Sequence, residues 1–179
     1  IEEENKLYAL HKKGVNYYFF RVSDGTQIWE GSLSDNDENL FVHNNKFYIY
    51  SKNHSSIKLK DLFSQNIIGD FEAGAPVLSV FSFKENVIFQ TKHSISSLKT
   101  YKPFLRSILN WTVEINKDDL IRYTLGINNN IFALTRSGDL YCINSSKGKI
   151  IHVNNLDSYD YYTFRTDWSS KVFVLYTDG

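Results

Sequence analysis

Cysteine occurs once in the 179 residues, at Cys142. A disulfide within the chain is therefore excluded, and a four-coordinate zinc site would have to draw on other residue types. The lone thiol leaves the redox compartment open, because large secretory-pathway domains can lack disulfides. Methionine is absent, and the chain begins IEEEN, with neither an initiator nor an apolar leader, so both ends read as cuts through a longer chain. No apolar run approaches the ~20 residues of a membrane-spanning helix, so direct insertion of this segment into a bilayer is not expected. Net charge is lacking too. Twenty basic side chains balance 20 acidic ones, which leaves no global field to recruit nucleic acid or an anionic membrane. Nucleophile elbows, phosphate loops and dinucleotide fingerprints are likewise missing.

What the chain has in quantity is aromatic and aliphatic side chains. Hydrophobic residues make up 42% and aromatics 16%, with 12 Tyr and 13 Phe. Large flat side chains favour pleated surfaces, and this hydrophobic load at zero net charge excludes disorder.

Self-similarity is the strongest signal. A short apolar strand preceded by Asn, Lys or Ser, and followed by a polar turn, recurs as NKLYALHKKG, NNKFYIYSKN, KENVIFQTKH, NNNIFALTRSG and SKVFVLYTDG. Its first apolar residues are Leu7, Phe47, Val87, Ile131 and Val172, so successive spacings are 40, 40, 44 and 41 residues. A period of about 40–45 residues is that of one four-stranded propeller blade. In the clearest unit, Leu120–Ile127 reads as the inner strand, Asn130–Gly138 as the second, Asp139–Gly148 as the third and Lys149–Leu156 as the outer edge. The first unit reads as KLYAL, then GVNYYFFRVSDG, then TQIWEGSL. Gly, Asn, Asp and Ser bound these segments, as tight hairpins require.

No window sustains helical spacing over 11 or more residues between its turn signals. Asp61–Asn66 predicts only a short turn, and Lys102–Ile108 is interrupted by Pro103. The fold class is therefore all-β: a β-propeller fragment of four-stranded antiparallel blades, an excerpt of a larger seven- or eight-bladed ring. Its approximate units are 1–36, 37–74, 75–118, 119–157 and 158–179, the first and last of them partial.

The pieces Val22–Gly25 (VSDG) with Thr26–Trp29 (TQIW), and Leu140–Asn144 (LYCIN) with Lys147–Lys149 (KGK), resemble the quinoprotein-alcohol-dehydrogenase-like repeat family. That resemblance implies an outer-strand Trp packed between neighbouring blades. Trp29 and Trp111 fit this role, whereas the second unit offers Phe71 and the fourth His152 or Ile151. WD repeats fit less well, since neither a Gly-His start nor a Trp-Asp ending occurs. Degenerate repeats of this kind also resemble two groups of luminal propellers. One belongs to the largest subunit of the endoplasmic reticulum membrane protein complex, and RVSDGTQIWEGSL carries that likeness. The other belongs to the unfolded-protein-response kinases.

A quinone-dependent enzyme of the repeat family needs an acidic calcium site, a catalytic Asp and commonly an adjacent-cysteine disulfide. Cys142 alone cannot make the disulfide. Asp118 with Asp119, and Asp157 with Asp160, read as solvated turn carboxylates. His11, His43, His54, His93 and His152 lack the close pairing of metal ligands, and His54 and His93 fall at predicted turns. Lys58, Lys60, Lys84, Lys92, Lys99 and Lys102 give the middle third a basic bias, read as edge-strand lysines that block sheet-to-sheet pairing rather than as an RNA site.

Three glycosylation sequons occur, at Asn53, Asn110 and Asn144. Asn53 and Asn144 sit at predicted turns that can accommodate a glycan. Asn110 lies in a predicted strand beside Trp111 and is a poor acceptor. Asn, Ser and Thr are frequent enough for this number to arise from composition alone. The expectation is thus a non-catalytic scaffold of the endoplasmic reticulum lumen, part of a membrane-anchored protein. It has no cofactor, metal or small-molecule substrate, and it binds other subunits or client proteins. The alternatives are a luminal stress sensor that oligomerises through sheet edges and, last, a quinone- or calcium-dependent enzyme.

Overall fold

The computed structural model describes residues 2–3, 6–100, 107–116, 118–156, 162–166 and 172–176. Within them every helix or strand element is a strand. β1 (Glu2–Glu3), β2 (Lys6–Lys13), β3 (Asn16–Arg21) and β4 (Gln27–Ser32) form the first antiparallel meander. β5 (Glu38–His43), β6 (Lys46–Ser51), β7 (Ser56–Asp61) and β8 (Ile67–Glu72) form the second. The third holds β9 (Ser79–Phe83), β10 (Asn86–Gln90), β11 (Ser94–Thr100) and β12 (Ser107–Glu114). The fourth holds β13 (Ile121–Ile127), β14 (Asn130–Thr135), β15 (Asp139–Asn144) and β16 (Lys149–Asn155). β17 (Tyr162–Thr166) and β18 (Val172–Tyr176) pair as a fifth, two-stranded sheet. Each repeat anchor, from Leu7 to Val172, falls in the first two residues of its sheet's second strand.

Period-two patterning makes these strands. In β7, Ile57 and Leu59 are buried while Lys58 and Lys60 are half-exposed. Left-handed residues turn the hairpins: Asn44 and Asn45 stand at φ 48° and 57°, both positive as a type I′ turn demands, and Lys84 and Asn128 at 57° and 53°. The turn from third to outer strand is also shared. The N–H of Gly25 reaches the Arg21 carbonyl at 2.9 Å, that of Gln65 the Asp61 carbonyl at 3.0 Å, and that of Gly148 the Asn144 carbonyl at 2.9 Å. All three donors have positive φ, at 69°, 59° and 63°. In the expected short turn after β7, the Asp61 carboxylate accepts the N–H groups of Phe63 and Ser64.

Every four-stranded sheet carries a bulge between its third and outer strands, and the fourth has a second one between β13 and β14 at Ile121/Tyr123. The register shifts at Phe19/Phe20, Leu59/Lys60, Ser97/Leu98 and Cys142/Ile143. The extra residues are Ile28, Ile68, Asn110 and Ile151, and such bulges sharpen strand twist. Just past the bulge stand Trp29, Gly69, Trp111 and His152. His152 therefore holds the Trp position in the fourth sheet, as one of the two expected residues. In the second sheet the position belongs to Gly69; Phe71 lies two residues beyond it, opposite Ile57. The bulge shifts the count, which a reading by residue type alone does not register.

The chain divides into two compact units, Ile1–Gly74 and Ala75–Gly179. In the first, Tyr17, Phe19, Leu33, Phe47, Ile49 and Leu62 make a buried core between the first two sheets. Trp29 stacks on Phe19 at 4.9 Å and meets Phe47 of the second sheet edge-on at 5.0 Å. In the second unit, Ile88, Ile95, Trp111 and Val113 of the third sheet pack with Ile121, Ile131, Ala133, Tyr141 and Ile143 of the fourth. Trp29 and Trp111 thus each join adjacent sheets, as the repeat resemblance implies.

The described basic residues of the middle third are not edge lysines. Lys58 and Lys60 lie on β7 and Lys99 on β11, both interior strands, while Lys84 and Lys92 sit in turns. Blade register, not edge protection, sets their places. Lys102 lies outside the described residues.

Candidate interaction surface

In the second unit three backbone segments meet at one end of the third and fourth sheets. They are the turn between β10 and β11, the residues leading into β13, and the turn between β14 and β15. Hydrogen bonds between main-chain groups join them: Ile121 N–H to the Lys92 carbonyl at 3.0 Å, and Arg136 N–H to the Leu120 carbonyl at 2.8 Å. Buried polar side chains reinforce the junction. Gln90 donates Nε2–H to the Ile121 carbonyl at 3.0 Å and accepts the Thr124 hydroxyl at 3.0 Å. His93 Nδ1 lies 2.8 Å from the Asp119 carbonyl oxygen.

Asp119 is only 8% exposed. Its carboxylate accepts the Leu120 N–H at 2.8 Å, the Ser137 N–H at 3.1 Å and the Ser137 hydroxyl. Burial alone would raise its pKa. Hydrogen bonds from Ser137, Thr135 and Leu120 outweigh that and hold it below the ordinary carboxylate range. The expectation of two solvated carboxylates therefore holds for Asp118, which is exposed, and fails for Asp119, a buried tie between loops. Asp157 and Asp160 lie outside the described residues. His93 also departs from its expected exposure: it is half-buried, because its ring nitrogen is engaged.

Upon this platform opens a cavity of about 310 Å³ lined by Leu78, Lys92, Leu120, Ile121, Arg122 and Arg136. Three cations surround an aliphatic floor. Lys92 stood out in the sequence as part of a basic bias. Arg122 and Arg136 did not, since 14 residues separate them and only the pairing of β13 with β14 brings them near.

The first unit holds a more polar cavity of about 260 Å³. Glu38, 6% exposed, accepts the Ser34 N–H at 2.7 Å and lies 4.0 Å from Lys58 Nζ. Burial and then the Glu38 charge raise the Tyr17 phenol above its ordinary pKa. His54 is exposed, as expected, and stands 3.7 Å from Asp35. These partners satisfy one another within the sheet.

The sequon residues are scattered. Asn53 is exposed between β6 and β7 and donates Nδ2–H to Asp37 at 2.6 Å. Asn110 is the exposed bulge residue of β12. Half-buried Asn144 ends β15 and accepts the N–H groups of Ser146 and Lys147 at 3.1 and 3.0 Å. Among the described residues no group of three or more His, Cys, Asp or Glu side chains is placed to hold a metal.

No family model and no curated protein matches the chain. Solved structures do. The computationally designed Ika8 protein superposes with a TM-score of 0.68 at 13% identity, over 99% of this chain and 57% of that one. BamB from Moraxella catarrhalis gives 0.67 at 12%, over 97% and 56%. The Cps50 (Swd1) β-propeller domain of Myceliophteria thermophila gives 0.65 at 11%, over 96% and 59%. The chain spans a little over half the length of these structures. It has a β-propeller fold, built from four-stranded antiparallel blades.

Proposed function

We propose that the chain is a non-catalytic scaffold, a luminal propeller segment of an endoplasmic reticulum membrane protein complex subunit that serves membrane-protein insertion or folding. The observation that carries the scaffold reading is the platform of the second unit. There Asp119, Gln90 and Ser137 are spent on tying turns together, and the exposed face left over presents fixed side chains rather than reactive ones. Rigid scaffolds with recognition residues in their loops are the common way such folds work. Support for the luminal assignment is the degenerate quinoprotein-like repeat and the likeness carried by RVSDGTQIWEGSL.

The test is affinity purification of the tagged full chain from detergent-solubilised endoplasmic reticulum membranes, followed by sedimentation analysis. Stoichiometric recovery with the other subunits of the membrane complex, and a monomeric free chain, is the expected result. Concentration-dependent homodimers without those subunits overturn the assignment in favour of a luminal stress sensor.

A further inference from the structure

Resting on the luminal reading, we propose that Asn110 is the residue of this chain that carries an N-linked glycan. Its sequon, Asn110-Trp111-Thr112, lies on β12, the outer edge of the third sheet.

The fold separates the three sequons. Asn110 is the extra residue of the β12 bulge: Leu98 pairs with Leu109 and Ser97 with Trp111, so no residue stands opposite it. Beyond the bulge the strand alternates, with Trp111 and Val113 buried and Thr112 and Glu114 exposed. The bulge breaks that alternation and leaves both Leu109 and Asn110 exposed. A regular strand would turn one of the two inward. Among the described residues no hydrogen bond or ion pair holds the Asn110 side chain.

The other two asparagines are committed within the fold. Asn53 spends an Nδ2–H on Asp37 at 2.6 Å, a tie with which a sugar on the same nitrogen competes. Asn144 is half-buried on the interior strand β15. Its Oδ1 accepts the N–H groups of Ser146 and Lys147 and the Ser146 hydroxyl, the last at 2.7 Å. A glycan is bulky and must project into water, a demand that an exposed edge meets and an interior strand does not. The edge gains from it as well. β12 contains neither Lys nor Pro, two of the usual guards against pairing with another chain. A hydrated group beside exposed Leu109 supplies such a guard.

The transfer is a substitution at a sugar carbon. Asn110 Nδ2 forms the N-glycosidic bond to C1 of an oligosaccharide carried on a lipid diphosphate. The C1–O bond breaks, the lipid diphosphate leaves with the electron pair, and one amide proton passes to a base of the transferase. The hydroxyl that the sequon requires is that of Thr112, 2.9 Å from the Ser96 hydroxyl.

The test is peptide mass spectrometry of the tagged full chain from endoplasmic reticulum microsomes, its glycans released enzymatically in heavy-oxygen water. Release converts a glycosylated Asn to a labelled Asp, so label is expected at position 110 and not at 53 or 144. Thr112→Ala should abolish the label and Thr112→Ser preserve it, which separates sequon use from deamidation. Label at Asn53 or Asn144 overturns the proposal. So does its absence from all three in a chain that intact microsomes protect from added protease. The luminal reading survives both results. Digestion of the chain in intact microsomes sinks the luminal reading itself, and this inference falls with it.

Discussion

Trp111 packs against Gly148, in the turn between β15 and β16 of the adjacent sheet, and donates its indole N–H to the carbonyl of Ser145 at 2.9 Å. A Cβ at position 148 would stand 2.5 Å from the indole, and the backbone there has φ +63°. Gly148→Ala therefore meets two penalties, a left-handed backbone and an overpacked ring. Together they should cost about 2–4 kcal/mol. Urea unfolding followed by tryptophan fluorescence measures it. An unchanged midpoint would show that the two sheets are not in contact at this point.

The equivalent Trp29 keeps the ring contacts and lacks the hydrogen bond, since its Nε1 is buried with no partner among the described residues. The two residues should respond differently to the same change. Trp111→Phe strands the Ser145 carbonyl and should cost about 1–3 kcal/mol beyond the lost ring area. Trp29→Phe removes an unsatisfied donor and should cost less by roughly that amount. Equal losses in paired unfolding curves would sink the distinction.

The sequence disclosed the repeat well because its marks are local. Asn-rich turns and apolar strands recur at 40 to 44 residues, and each second strand begins where its anchor predicts. The candidate site was legible only in part. Asp119 looks like any turn carboxylate until Ser137, 18 residues on, is folded against it. Residue type alone points to Phe71 for the Trp position, and the bulge at Leu59/Lys60, which carries no local mark, gives it to Gly69. Long-range partners, not local propensity, decided both.

Asp119 also predicts a pH dependence. Its carboxyl is held below the ordinary range in the folded chain, so the charged form binds the fold more tightly than the neutral one. That contribution is fully present above the unfolded value of about 3.9. It is lost as pH falls through the lower folded value. Asp119→Ala should lower stability at pH 7 by about 1–3 kcal/mol and flatten the decline in stability below about pH 4. Chemical denaturation at pH 7 and at stepped acid pH checks both. An unaltered acid limb would mean that another carboxylate controls it.

Gln65 occupies the left-handed position filled by Gly25 and Gly148 in the equivalent turns, at φ 59°. A side chain there costs about 1–2 kcal/mol of backbone strain. Glycine removes that strain but returns about 0.5–1 kcal/mol through greater freedom in the unfolded chain. Gln65→Gly should thus stabilise by up to about 1 kcal/mol. A fall in melting temperature would show that Gln65 makes a contact which outweighs the strain.

Cys142 is buried within the fourth sheet, and burial pushes its thiol above the ordinary pKa. Nucleophilic attack needs the thiolate and a path to solvent, and here both are suppressed. The native chain should react with a disulfide reagent far more slowly than the urea-unfolded chain, at a rate set by opening of the sheet. Because β15 is an interior strand, flanked by β14 and β16, that opening must unpair at least one neighbour. Labelling should consequently track the stability of the second unit: Gly148→Ala and Asp119→Ala should both accelerate it. Rapid labelling of the native chain, or acceleration by neither substitution, would overturn this account of Cys142.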